Sequence, residues 1–219
     1  RALKIPRYIL QSLPRLLLVG FSDASSKGYS ACIYLHAYDS SSTCSNYLLK
    51  AKNKVAPLKT LTIPRLELCG ALLLSRLLRD VIKSLKAVRF ENVHLYTDSQ
   101  IVLAWLHTSP HLLKTYVANR VVRILEHTSL HQWAHTVSNQ NSADFASRGL
   151  FPEEIMDCHS WWNGPDFMQN PPSKWPVRGD NYVAPEELPE RKNDPIVLRI
   201  QADPENPLYE VVSRFSSLS

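Results

Sequence analysis

Apolar positions come first as a run, RLLLVGF at 15–21, that stops abruptly on Ser22 and Asp23. Such a run bounded by a turn signal reads as a buried strand. Lys27-Gly28 makes a turn, residues 29–36 (YSACIYLH) a second strand, and the polar stretch 39–46 (DSSSTCSN) a hairpin loop before a third strand at 47–54. Three strands joined by short turns predict an antiparallel meander. The pattern then changes to helical spacing in TIPRLELCGALLLSRLLRDVIKSL, where Thr62 suits the cap and Pro64 the first turn, whose N–H groups lack partners in any case. Residues 93–97 form a fourth strand, 99–106 a short helix that Pro110 follows, 112–127 an amphipathic helix, 131–137 a fifth strand, and 143–147 a last short helix closed by Gly149. The order is βββαβααβα. A strand–helix–strand crossover makes the fourth strand parallel to a neighbour, the first being the expected one.

Ten of the fifteen prolines fall after residue 150, and periodicity is weak from 165 to 207, where PPSKWP, EELPERKND and ADPENP read as extended connector. Trp161, Trp162 and Trp175 are expected to fold back on the domain as a hydrophobic clasp. The last residues, NPLYEVVSRFSSLS, resume an apolar pattern like the start of a further helix. The expected organisation is a linker at 1–14, a domain at 15–150 and a Pro-rich acidic connector at 151–219. A chain that opens RALKIPRYIL, without an initiator Met, is expected to be a piece of something longer.

Charge sharpens this division. Residues 1–149 hold 19 Lys and Arg against 8 Asp and Glu, a balance of +11, whereas 150–219 hold 6 against 12, a balance of −6. A basic body of this kind suits a nucleic-acid partner. Four dispersed cysteines (Cys32, Cys44, Cys69, Cys158) form no CxxC pair and read as reduced thiols of an intracellular protein. The most apolar helix is interrupted by Arg76, Arg79, Asp80 and Lys83, which excludes a membrane span there.

In so basic a body the few acids are informative. Asp23 ends or nearly ends the first strand and Asp98, in VHLYTDSQ, sits at the carboxyl end of the fourth; if those strands are parallel neighbours, both carboxylates share one sheet edge. Glu67 falls in the expected first turn of the long helix, and Asp144 begins the last helix. Singly, Asp23 fits a turn, Glu67 a helix dipole, and Asp98 or Asp144 a helix cap. Together they form an oxygen-only set suited to Mg²⁺ or Mn²⁺. Two such ions about 3.5–4 Å apart can clamp the attacking and leaving oxygens of a phosphodiester.

The stretches GFSDASSKGYSACIYL, KTLTIPRLELCGALLLSRLL, VHLYTDSQIVLAWL, TYVANRVVRI and NSADFASRGL, in that order, resemble the ribonuclease H domain of a retroelement polyprotein, most closely the BEL/Pao class of long-terminal-repeat retrotransposons. WWNGPDFM and PSKWP resemble the connector that follows this domain, before an integrase region. The resemblance implies an α/β fold: a ribonuclease H-like mixed five-stranded sheet, three antiparallel strands then parallel ones, flanked by helices. It implies that Asp23, Glu67, Asp98 and Asp144 are catalytic metal ligands for two Mg²⁺ ions, with Mn²⁺ able to substitute. Ser99 and Gln100 follow Asp98 as substrate contacts do in related enzymes, and Ser25 and Asn141 complete the expected set. Two departures stand out. The loop SNQNSAD lacks the His that many relatives carry before the last acid, His131 and His135 being expected to be structural. Only 107–113 separates the middle helices, so an extra basic loop is missing.

The implied reaction is hydrolysis of the RNA strand of RNA–DNA hybrids during reverse transcription, with polymerase (reverse transcriptase) and integrase regions on the same polyprotein, no membrane, and a cytoplasmic particle or the nucleus as location. Alternatives are a catalytically silent scaffold of the same fold and a DNA-cutting nuclease. Four intact acids, their 46-residue third-to-fourth spacing and the SRG ending favour the ribonuclease.

Overall fold

The computed structural model describes residues 15–41, 43–176 and 187–192. The expected linker at 1–14 and the apolar pattern at the chain end lie outside them. Strands β1 (Arg15–Ala24), β2 (Gly28–Tyr38) and β3 (Cys44–Val55) form the antiparallel meander. Helix α1 (Ile63–Ser84) crosses to β4 (Asn92–Thr97), which pairs parallel to β1, and α2 (Gln100–His107) with α3 (Thr115–Leu125) crosses to β5 (Trp133–His135), parallel to β4. The mixed five-stranded sheet has the order β3-β2-β1-β4-β5, with three antiparallel strands and then two parallel ones.

Both faces of the sheet are covered, and for this reason β1 reads as an unbroken apolar run rather than an alternating one. Successive side chains go to opposite faces. Leu18, Ile33, Leu35 and Leu95 lie under α1, α2 and α3, with Leu68, Leu74, Trp105, Val117 and Val121. Leu17, Val19, Phe21, Tyr34 and Tyr96 face the other way, against Trp161, Phe167, Met168 and Trp175.

That second layer comes from beyond residue 150. After α4 (Asp144–Arg148), helices α5 (Pro152–Asp157) and α6 (His159–Asn163) and 3₁₀ turns at Asp166–Gln169 and Pro172–Lys174 lie across the sheet. The Tyr34 hydroxyl donates to Trp161 O at 2.7 Å, Asn46 Nδ2 to Met168 O at 2.9 Å, and Trp175 Nε1 to Asn170 O at 2.7 Å. Trp161 and Trp175 are thus buried in the core; Trp162 is partly buried and donates Nε1–H to Ile155 O at 2.7 Å. The weak periodicity of this stretch follows from its short turns, too brief to establish a period. Residues 187–192 return to the helical face: Leu188 is buried, Trp105 Nε1 donates to Pro189 O at 2.7 Å, and Glu190 pairs with Arg65.

Several bounds differ from expectation for local reasons. β1 runs to Ala24, because Ser22, Asp23 and Ala24 pair with Ala31, Ser30 and Tyr29, so Asp23 lies within the strand. α1 starts at Ile63, so Glu67 is its fifth residue and sits in the second turn; Thr62 holds the cap position but its side chain makes no capping bond. β5 is short because Leu130–Gln132 closes a 3₁₀ turn, with the Gln132 side chain accepting from Ser129 N–H at 2.8 Å. None of the four cysteines is in a disulfide, and no described helix is long and apolar enough to cross a membrane.

If the second layer is part of the folding unit, Phe167→Ala lowers stability by about 3 kcal/mol. The thermal midpoint should then fall by roughly 6–12 °C. A change under about 2 °C in a thermal melt would make the layer a loose appendage.

Candidate active site

The parallel pairing of β1 and β4 ends at Ser22 opposite Thr97, so Asp23 and Asp98 follow the last shared rung at the same edge. Adjacent strands lie about 4.8 Å apart, which makes the two residues neighbours by construction. Glu67 reaches this edge from above. Three residues after it Gly70 lies against the β1 backbone, where an added Cβ would stand 2.9 Å from the Asp23 carbonyl oxygen. Only a residue without a side chain lets α1 approach so closely, and residues three apart share a helix face. Asp144 enters as the first residue of α4, its N–H bonded to Asn141 O at 2.9 Å.

Asn141 ties these pieces together. It is 2% exposed; its Nδ2 donates to Ser22 O at 3.0 Å and to Asp98 Oδ1 at 3.2 Å, and its Oδ1 accepts from Ala143 N–H at 3.2 Å. One amide side chain thereby links the ends of β1 and β4 to the loop that leads into α4.

Each carboxylate has a protein donor. Ser147 Oγ donates to Asp23 Oδ2, Ser99 Oγ to Glu67 Oε2, Ser138 Oγ to Asp98 Oδ2 at 2.7 Å, and Arg148 Nε to Asp144 Oδ1. His135 lies with Nε2 3.2 Å from the Asp98 carbonyl oxygen, a backbone contact that suits a structural role. Asp23 is 5% exposed. Burial pushes its carboxyl up to about 7, opposed by the Ser147 hydrogen bond and reinforced by the charges of Asp98, Asp144 and Glu67. Burial likewise raises Glu67, opposed by Ser99 and reinforced by Asp98. The Arg148 guanidinium is raised by its bond to Asp144 and by the charges of Asp144, Asp23 and Asp98, so it stands beside the cluster as a partial counter-charge.

Thus the four acids gather at one edge and influence one another. An oxygen-only donor set with one carboxyl forced towards neutrality has the chemistry of a hard divalent cation site. As the side chains stand, no three His, Cys, Asp or Glu among the described residues converge on a metal-sized point. Holding an ion would require carboxylates to exchange their Ser or Arg partners for it.

Of the expected substrate contacts only Gln100 is exposed. Ser25 is half-buried, its Oγ donating to Ser147 O at 2.7 Å, and Ser99 and Asn141 are buried and engaged within the protein. Sequence reasoning missed Ser147, Ser138 and Arg148. Ser147 and Arg148 stand in the SRG ending, but nothing in their spacing shows which carboxylate they meet.

Residues 1–99 match the family model of the Pao retrotransposon-like RNaseH-like domain, a span that contains Asp23, Glu67 and Asp98 and stops before Asp144. Among solved structures the chain is similar to RNase H1 from the halophilic archaeon Halobacterium salinarum, at 14% identity over 59% of this chain and 90% of that one, TM-score 0.36. An N-terminal RNase H domain from Mycobacterium tuberculosis shares 11% identity over 61% and 94%, TM-score 0.40. LC11-RNase H1 in complex with an RNA/DNA hybrid shares 14% over 59% and 91%, TM-score 0.35. No curated protein matches the chain.

A carboxyl raised on folding binds a proton that the unfolded chain, near pH 4, has already lost. Stability of the metal-free protein is therefore greatest below about pH 4 as far as Asp23 is concerned, and this contribution is lost as pH rises to about 7. Asp23→Asn should raise the thermal midpoint at pH 8 in EDTA and have little effect at pH 4–5. A drop at pH 8 would mean that the ionised carboxylate is well solvated or paired.

Proposed function

We propose that this Pao-type ribonuclease H-like chain hydrolyses the RNA strand of RNA–DNA hybrids as a divalent-metal-dependent endonuclease. The observation that carries the reading is the gathering of Asp23, Glu67, Asp98 and Asp144 at one sheet edge of a basic body. That arrangement is electrostatically costly without a cation.

In this reading the four carboxylates hold Mg²⁺, or Mn²⁺ in its place. When bound, the ions supply Lewis-acid activation of the scissile phosphate and of the attacking water. Ser147 and Ser99 orient Asp23 and Glu67. Asn141 fixes the spacing of Asp98 from β1, a positioning role that its burial supports better than direct contact with nucleic acid. Gln100, exposed at the start of α2, is the best placed of the expected contacts to touch the substrate backbone. Specificity for RNA rests on the 2′-hydroxyl, the group that distinguishes the two strands. The wider setting is a polyprotein with reverse transcriptase upstream and integrase downstream, the ribonuclease removing template RNA. A silent scaffold is the second reading, and one observation favours it: every carboxylate already has an internal donor, and no three converge.

The deciding experiment is cleavage of a labelled RNA–DNA hybrid, beside duplex RNA and duplex DNA, in Mg²⁺ and in Mn²⁺. RNA-strand cutting is expected, with Asp98→Asn at least about 100-fold slower. The same ions should raise the thermal midpoint of the wild-type chain at pH 8 and not that of the variant. Cutting of duplex DNA would reassign the chain to the DNA nucleases of this fold. Absence of both cutting and metal stabilisation would leave the scaffold.

A further inference from the structure

Helices α1 and α3 lie side by side on the face of the sheet that carries Glu67, and the groove between them is cationic. Along α1 the positions Cys69, Leu72, Leu73 and Arg76 share one face; along α3 Tyr116, Asn119, Arg120 and Arg123 do, in each case at the three- and four-residue spacing of neighbours on a helix. Lys54, from the edge strand β3, closes the third side. The resulting groove has a volume of about 270 Å³ and is lined by nine residues, of which four are cations (Lys54, Arg76, Arg120 and Arg123) and none is acidic. Asp80, one turn beyond Arg76, is already held by Arg79 at 3.0 Å and faces Lys50 at 4.0 Å.

Two details distinguish this from a merely basic surface. The Arg120 guanidinium lies over the Tyr116 ring, 3.4 Å from its centroid, and donates through Nη1 to Tyr116 O at 2.9 Å, while its buried Nε has no hydrogen-bond partner in the described structure. The groove also begins at the carboxylate edge. Tyr29, which lines it, pairs with Ala24, the residue after Asp23; Lys54 pairs with Tyr29; and Cys69, two residues beyond Glu67, lies near its height on the other side of α1. From Glu67 to Arg76 is nine residues of helix, a rise of about 14 Å. A strand lying along α1, at about 3.4 Å per step, would cover roughly four nucleotides over this reach.

We propose that the α1/α3 groove binds the phosphodiester backbone of the nucleic acid about four nucleotides away from the carboxylate edge, with Lys54, Arg76 and Arg123 as its phosphate contacts. This rests on the nuclease reading for the location of the scissile bond, but the binding itself does not require chemistry. Contacts of this kind hold register and carry no sequence preference.

The test uses the whole chain in EDTA, so that metal-dependent cleavage does not intrude, and reads fluorescence anisotropy of a labelled RNA–DNA hybrid over a range of salt. Arg76→Ala/Arg123→Ala is compared with Lys83→Ala/Lys86→Ala, which removes the same charge from the last turn of α1 and the turn that follows it. Thermal melts of both variants establish that they fold. The groove variant should bind about tenfold more weakly near 0.15 M salt, and its slope of log K against log salt should shrink by about two, close to 0.9 for each phosphate no longer neutralised. The control should shift less than about twofold. Equal losses in the two variants would overturn the groove, since only net charge would then matter. Hybrid cleavage by the wild type together with unaffected binding by the groove variant would sink the groove and keep the nuclease. Groove-dependent binding without cleavage in either metal would do the reverse.

Discussion

The parallel pairing of β1 with β4 is the constraint from which the site follows. Antiparallel neighbours would send Asp23 and Asp98 to opposite edges of the sheet. Parallel neighbours in the register Ser22–Thr97 bring both carboxylates out at one edge. The crossover that makes the pairing parallel is α1 itself, and the same helix carries Glu67 back to that edge. Gly70 sets the height of the helix above β1 and thereby the reach of Glu67. Strand pairing and helix approach are thus one geometric decision with two consequences for the site.

Gathering acids has an electrostatic cost that the fold offsets locally. Three Ser hydroxyls and one Arg each donate to a different carboxylate, and Asn141 spans two backbones and one carboxylate at once. Hydrogen bonds to a charged group are stronger than neutral ones, yet they do not cancel the burial of Asp23. The remaining imbalance is what a divalent cation would relieve.

The second layer answers a different need. α4 has only five residues, too few to cover a sheet face on which Leu17, Val19, Phe21, Tyr34 and Tyr96 are buried. Trp161, Phe167, Met168 and Trp175 do so instead, with ring contacts such as Phe167 to Tyr96 at 5.4 Å and Trp175 to His36 at 4.8 Å. These aromatics bury a large area while their short turns satisfy their own backbone groups. The stretch is thereby structured without being periodic.

Element order, the parallel assignment of the fourth strand and the identity of the clustered acids were legible in the chain, because period-two and period-3.6 patterns and turn residues act over a few neighbours. The SDAS, RLEL, TDSQ and SADFASRG stretches each marked an acid for the same local reason. The extension of β1 through Asp23 was not legible, because pairing with Ser30 is a property of the partner strand. Nor were the roles of Ser147, Ser138 and Arg148, or the burial of Asn141 and Ser99: a hydroxyl 124 residues from the carboxylate it meets leaves no periodic trace. The α1/α3 groove belongs to the same class, since its cations come from three separated segments. Local sequence determined which elements form and where the acids fall; only tertiary packing decided which distant donors meet them, because that depends on the distances between elements rather than on any pattern within one.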